Sequence, residues 1–481
     1  MLDYGRDLCN TLSVATNREW LVTNGLGGYA MGTVAGLLSR SYHGLLIAAM
    51  APPGRPGQAP TARTLLLAKL DETVHYDGQS YPLFTNHWAD EPKAADPWVT
   101  PKGFHHLERF HLEGATPVWT FAFADARLEK RLWMQQGANT TYVQYTFVRG
   151  SQPLTLDLQA LVTYRDHHGN VASEGRFPMQ VEPLANGLRL TAFDQAPPFY
   201  LLSEEFTAEP LHPPVWIDGF FLGVEAYRGQ KDIETYLHAA DFQSVVQPGQ
   251  SVTLVASVDP APVLNGISAL ADRSVYEQGL LDRAHAYWQG QASQNGAVTV
   301  EQNAPAPVAS APGWLDSAID HLILAADQFV VARRQPDGSP GRSVIAGYPW
   351  FGDWGRDTMI SLPGLTLVTG RPEIARQILL TFAAFVDRGM LPNRFPDAGE
   401  EPEYNTIDAT LWYVEAIRAY HSATGDDSLL AGLYPVLQEI VAWHRRGTRY
   451  NIHLDEADGL IYGGSPEVQL TWMDAKLDEW V

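Results

Sequence analysis

The hydrophobic pattern of this chain changes period once, and that switch limits the fold more than any other feature. From about residue 15 to residue 258, apolar side chains alternate or run in short blocks rich in β-branched and aromatic residues. That is the pattern of strands. Residues 118–123, 140–148 and 154–161 show it most clearly, with 214–217 and 251–256 beside them. Turn signals such as Pro248-Gly249 separate the runs. Many strands without intervening helices predict a large antiparallel β-sandwich.

Residues 265–289 then read as helix. The stretch 290–313 contains Ala304-Pro-Ala-Pro-Val-Ala-Ser-Ala-Pro312, a linker composition. The expected division is therefore a β-sandwich over 1–264, a helical and Ala/Pro-rich connection over 265–313, and a helical region over 314–481. In that last region Leu315, Ala318, Ile319, Leu322, Ile323, Ala326, Phe329 and Val330 recur at the spacing of one buried helix face. Further helices are expected from near Asp357, from Pro372, a good first-turn residue, and over about 408–421. A fifth carries Leu429, Leu433, Leu437, Ile440, Val441 and His444. Long loops between alternate helices hold the aromatic and acidic residues, as in a helical toroid with its site at one rim.

Sixteen residues concentrate the chemistry: Tyr348-Pro-Trp-Phe-Gly-Asp-Trp-Gly-Arg-Asp-Thr-Met-Ile-Ser-Leu-Pro363. They set Trp350, Phe351 and Trp354 among Asp353, Arg356 and Asp357. Indole faces stack on pyranose rings, and an adjacent arginine and carboxylate fork onto neighbouring hydroxyls. Carbohydrate is the ligand class this mixture fits. The 33 basic and 55 acidic residues give a net charge of −22, which argues against nucleic acid or an anionic membrane as partner. A neutral glucan meets no such repulsion. Each residue also has a plainer reading. Asp357 and Asp408 sit where helix caps belong, Arg356 fits an ordinary ion pair, and Trp412 fits a core.

Other chemistries find little support. Cys9 is the sole cysteine, so neither a disulfide framework nor a cysteine metal site is expected. Gly25, Gly27 and Ala30 fit a loosened dinucleotide fingerprint, but the acidic residue about 20 positions on is absent. Glycines for tight turns in a β-domain explain that run better. The pairs His105-His106 and His167-His168 are expected to face solvent, and no spacing resembles a metal site. No cofactor is expected. The N-terminal residues lack the basic and apolar regions of a signal peptide, and no run nears the roughly 18 apolar residues of a membrane span. A cytoplasmic location is the expectation.

Two segments resemble a known family. Arg18-Glu-Trp-Leu-Val-Thr-Asn-Gly-Leu-Gly-Gly-Tyr-Ala-Met-Gly32 and Ser39-Arg-Ser-Tyr-His-Gly-Leu-Leu46 resemble the N-terminal domain of bacterial and archaeal glycogen debranching enzymes. The 348–363 block, Tyr404-Asn-Thr-Ile-Asp-Ala-Thr-Leu-Trp412 and Thr471-Trp-Met-Asp-Ala-Lys476 resemble their (α/α)6 amylo-α-1,6-glucosidase domain. The resemblance implies a β-sandwich followed by a partial (α/α)6 toroid, removing α-1,6-linked glucose from branched α-glucan such as glycogen or limit dextrin. It implies Asp474 as general acid. It also implies Arg356 and Asp357 as the clamp on the terminal glucose. Asp408 and Trp412 are implied as further subsite residues, with Trp350 and Trp472 as platforms, and the make-up of the 348–363 block adds Asp353 and Trp354 to the expected substrate contacts. Inverting glycosidases pair such an acid with a second carboxylate roughly 6.5–9.5 Å away.

The resemblance puts that second carboxylate beyond Val481, and only about five helices follow the linker where a full toroid has twelve. The expectation is a truncated chain releasing little or no glucose by itself. Two rival readings stand beside it. One is another (α/α)6 chemistry, trehalase-like hydrolysis or disaccharide phosphorolysis. The other is a glucan-binding protein without catalysis. A separate transferase barrel is not expected, because no alternating strand–helix repeat is present.

Overall fold

The computed structural model describes residues 2–51, 60–89, 98–171, 175–295, 313–396, 401–466 and 468–473. It divides into two compact units, the main break falling between Glu277 and Gln278. Most of the expected linker, 296–312, lies outside the described residues.

The first unit is built from two antiparallel sheets, of nine and ten strands among the described residues. The strongest strand signals become Thr116–Phe123, Thr140–Arg149, Leu154–Asp166 and Ser251–Ser257. Alternation does in Leu154–Asp166 what it does in any half-buried strand. Leu154, Leu156 and Leu158 are buried, while Thr155, Asp157 and Gln159 between them are partly or fully exposed. One apolar core takes Leu67, Leu156 and Leu158 from the ten-stranded sheet and Leu128, Leu132, Val143 and Leu254 from the nine-stranded one. Each such side chain, fully buried, is worth about 1.5–3 kcal/mol.

The glycine run closes a hairpin. Gly25 (φ 72°) and Gly27 (φ 100°) turn the chain between Glu19–Thr23 and Tyr29–Thr33, which pair antiparallel. A dinucleotide fingerprint would need a helix after that turn. One expectation fails here. His167 is only 2 % exposed, and burial holds its pKa down at about 3. The neutral imidazole is packed inside; His168 is the member of that pair that faces outward.

The second unit is mainly helical, with Gly313–Gln328, Gly355–Leu362, Pro372–Ala383, Ala409–Thr424 and Asp427–Arg446 in chain order. Ile378, Leu379 and Phe382 share a core with Tyr413, Ile417, Leu429 and Leu433. Asp426 starts the last helix by accepting from Ser428 N (3.0 Å) and Leu429 N (3.2 Å). The region is not wholly helical. Val330–Arg334 and Pro340–Val344 form a hairpin, as do His453–Leu454 and Ile461–Tyr462. Gln335-Pro-Asp-Gly-Ser339 between the first pair is a turn signal, with Gly338 at φ 83°. The predicted helix face also needs correction. Ile323, Leu324 and Ala326 are buried, but Leu322 is 68 % exposed.

Candidate functional site

The block from 348 to 363 folds as a loop that feeds the Gly355–Leu362 helix. Gly355 has to be glycine. A Cβ there would lie 2.0 Å from Pro392 O, and the Gly355 amide donates to Asn393 O at 2.8 Å. Isolated bridges join Trp354 to Arg394 and Arg394 to Glu403. Three loops therefore run side by side, and the aromatic block is held against residues 393–394 and 403.

At the first turn of that helix, Arg356 turns to the start of Ala409–Thr424. Its Nε lies 2.9 Å from both Asp408 oxygens, and its Nη2 donates to Asp408 Oδ1 (2.8 Å) and Thr406 Oγ1 (3.2 Å). Thr406, fully buried, donates its hydroxyl to Asp408 Oδ1 at 2.8 Å and accepts from the Ala409 amide at 3.2 Å. So the hydroxyl caps the helix that Asp408 was expected to cap, and the Asp408 carboxylate is left to grip Arg356. Burial pushes the Asp408 pKa up, but Arg356 and Thr406 outweigh it and the net shift is downward. This fork leaves Arg356 Nη1 without a hydrogen-bond partner among the described residues.

Asp357, next in the chain, is exposed, and among the described residues no side chain bonds its carboxylate. Crowding by surrounding protein raises its pKa above 3.8; the Asp408 charge adds to this, and its own amide and Arg356 oppose it. An arginine with open donors thus stands beside a carboxylate with open acceptors. A vicinal diol, whose hydroxyls both donate and accept, complements that pair.

Asp353 is placed differently. It is 0 % exposed, with both oxygens within 3.0 Å of Arg333 Nη1. The Arg333 guanidinium lies 3.7 Å from the Phe395 ring centroid. From that position Asp353 orients the loop; it does not face a ligand. Of the tryptophans, Trp350 and Trp354 are half-buried, and Trp354 meets Phe351 edge to face at 5.9 Å. Trp412, one turn beyond Asp408, is 39 % exposed, and Trp472 is 71 % exposed. Ile407 N donates to Leu470 O at 2.8 Å, so the segment leading to Trp472 runs beside the one leading to Asp408. Asp474 lies outside the described residues.

The sequence reading missed Arg333, Thr406 and Gly355. Thr406 lay inside the quoted 404–412 motif, where the N-cap preference of serine and threonine could have flagged it. Nothing in the sequence marked Arg333. Among the described residues no group of three His, Cys, Asp or Glu could hold a metal ion, and no helix is long and apolar enough to cross a membrane.

Two family models match the chain in series: glycogen debranching enzyme N terminal over residues 18–253, and amylo-alpha-1,6-glucosidase over residues 324–481. The glycogen debranching enzyme of Saccharomyces cerevisiae is 28 % identical over 211 residues, covering 32 % of this chain and 14 % of the yeast protein. Among solved structures, a bacterial glucoamylase complexed with acarbose aligns with 90 % of this chain and 58 % of its own, at 10 % identity and a TM-score of 0.39. A GalM/aldose epimerase homologue from C. elegans covers 50 % of this chain and 98 % of its own, at 10 % identity and a TM-score of 0.28. The chain thus spans a small share of the curated relative it matches.

Proposed function

Because the chain belongs to the glycogen debranching enzymes, with their N-terminal and amylo-alpha-1,6-glucosidase regions in series, we propose that it serves to hydrolyse α-1,6-linked glucose from branch points of glycogen or limit dextrin. One observation carries this reading: the open donors of Arg356 beside the open carboxylate of Asp357, held by Asp408 and Thr406. A terminal glucose presents neighbouring hydroxyls to such a pair. Exposed Trp412 and Trp472 and half-buried Trp350 and Trp354 supply apolar faces for the pyranose rings.

In this proposal the helices after residue 314 are arranged as in an (α/α)6 toroid, and the reaction inverts the anomeric centre. Asp474 donates its proton to the glycosidic oxygen as the bond to the anomeric carbon breaks, and a second carboxylate takes a proton from the attacking water. No residue of this chain is assigned to that second role. No metal or organic cofactor takes part.

The test is titration of the purified chain with glucose and with limit dextrin, Asp357→Asn alongside. A hydrogen bond to a charged group is worth about 1.5–3 kcal/mol, so the variant is expected to bind both at least about tenfold more weakly with its melting temperature unchanged. Wild-type affinity in the variant would overturn the reading. Any glucose that the chain releases from limit dextrin, followed in a separate assay, is expected to vanish in Asp474→Asn.

A further inference from the structure

An open cleft of about 410 Å³ lies one loop away from Arg356 and Asp357, lined by Glu401, Pro402, Glu403, Tyr404, Asn405, Arg449 and Tyr450. Its size is that of a small-molecule site. The 404–408 segment connects the two places. Its first two residues line the cleft, and Thr406 and Asp408 lock Arg356. Four residues of chain span at most about 14 Å, so the cleft begins within that distance of Asp408.

The chemistry of the lining is specific. Tyr450 and Asn451 both hold left-handed backbone, at φ 56° and 58°. Two such non-glycine residues in succession are unusual, and a bulky tyrosine there is strained. The strain turns the ring of Tyr450 onto a small core of Met390, Ile452 and Leu470, the last being the residue that leads to Trp472. The Tyr450 hydroxyl has no partner among the described residues. Asn405 accepts from Asn393 Nδ2 at 3.3 Å through its oxygen, and its own amide hydrogens meet no partner among the described residues. Glu401 and Glu403 add acceptors. Arg449 is neutralised by Asp387 and lies 4.4 Å from the Tyr404 ring centroid. Glu403 is paired with Arg394 at 3.5 Å and Arg449 with Asp387, so among the described residues the charge of Glu401 is left over and disfavours a phosphate or acidic ligand. A neutral polyol, with an apolar ring face for Tyr450 and hydroxyls for Asn405 and the glutamates, does.

Resting on the carbohydrate reading above, we propose that this cleft is a second glucan subsite, with Tyr450 as its platform, which seats the chain that bears the branch. Glucose bound at Arg356 and Asp357 does not reach it; a longer branched dextrin engages both. The site therefore selects substrate by what lies beyond the α-1,6 bond.

Two variants remove the ring without requiring a tyrosine in left-handed backbone. Tyr450→Gly relieves the strain, and Tyr450→Asn keeps a residue that tolerates the conformation. Titration of the full chain with isomaltose and with limit dextrin reads the result. Both variants are expected to bind limit dextrin about tenfold more weakly and isomaltose as the wild type does. Unchanged dextrin affinity in both, or equal loss for the two sugars, would overturn the proposal. Asp357→Asn serves as the second arm and is expected to weaken both sugars. If it weakens neither while the Tyr450 variants weaken dextrin, the cleft stands and the Arg356–Asp357 reading falls.

Discussion

Asp353, Asp357 and Asp408 stand within one small region and differ in what their carboxylates meet. Asp353 is buried against Arg333, Asp408 is half-buried against Arg356, and Asp357 meets no partner side chain among the described residues. Removing one member of a buried pair strands the other charge, which costs about 3–5 kcal/mol. Asp353→Asn is therefore expected to lower the melting temperature steeply, whereas Asp357→Asn leaves it unchanged and loses sugar. A differential scan of the two variants checks this, and equal melting temperatures would refute the division of roles. Thr406→Val is a sharper probe of the same cluster. It removes a helix cap, for a loss of about 0.5–2 kcal/mol, and frees Asp408 to rotate away from Arg356. Stability and glucan affinity should fall together, and a loss of stability alone would show that Thr406 does not position Arg356. Acid sensitivity has a definite sign. The Asp408 pKa is lowered in the fold, so its contribution is complete above the unfolded value near 3.8 and lost as pH falls through the lower folded one. Asp357 is shifted the other way, so its carboxylate, and with it sugar affinity, is expected to fade at a pH above 3.8, before Asp408 lets go.

The elements that hold these residues depend on close approach as much as on apolar pattern. At Gly355 the incoming 391–393 loop leaves no room for a methyl group. Gly355→Ala is expected to destabilise by about 1–3 kcal/mol, as overpacking does, and to loosen the first turn that carries Arg356 and Asp357. Chemical denaturation measures the first effect and glucan titration the second. The helix Asp427–Arg446 offers a cleaner pH test. Its cap Asp426 has a pKa held down at about 2 by Ser428, Tyr420 and the Leu429 amide. The helix should lose that cap between about pH 4 and about pH 2, and Asp426→Asn should flatten the stability profile across that window. At this scale the sequence was readable wherever one face of an element is buried. The strand runs around 118, 140, 154 and 251, and the helices at Pro372 and around Leu429 and Leu433, lie where the alternation or the 3.6-residue period put them. It misled where the period was followed past its end. Leu322 fits the apolar stripe but faces outward, and Val330 belongs to a hairpin whose Pro-Asp-Gly turn was in plain view. The contact of Thr406 with Arg356 was hidden for a different reason: the two are 50 residues apart, and no local pattern reports a contact across that separation. His167 looked like a solvated loop residue because burial is set by tertiary packing that no dipeptide encodes.

Across the whole molecule the dominant fact is charge. A net −22 spreads a repulsive field for every anionic partner, and salt weakens that field on a length of about 8 Å at physiological ionic strength. A neutral glucan couples to the field hardly at all. In the proposed sites its affinity would rest on short hydrogen bonds to Arg356, Asp357 and Asn405 and on aromatic faces, which salt does not screen. Limit dextrin affinity is therefore expected to stay within about twofold between about 0.05 and about 0.5 M sodium chloride. The sign of any departure is informative. A steep loss of affinity with added salt would mean that attraction between opposite charges holds the ligand, which no neutral sugar provides. Affinity that rises steeply with salt would mean a ligand repelled at long range, hence an anionic one. Flat dependence, together with loss in Asp357→Asn, leaves only local contacts of the kind that the Arg356–Asp357 pair makes. The same measurement on Tyr450→Gly separates the two glucan contacts, because neither the ring nor its replacement carries charge and any change in salt slope would have to come from elsewhere in the chain.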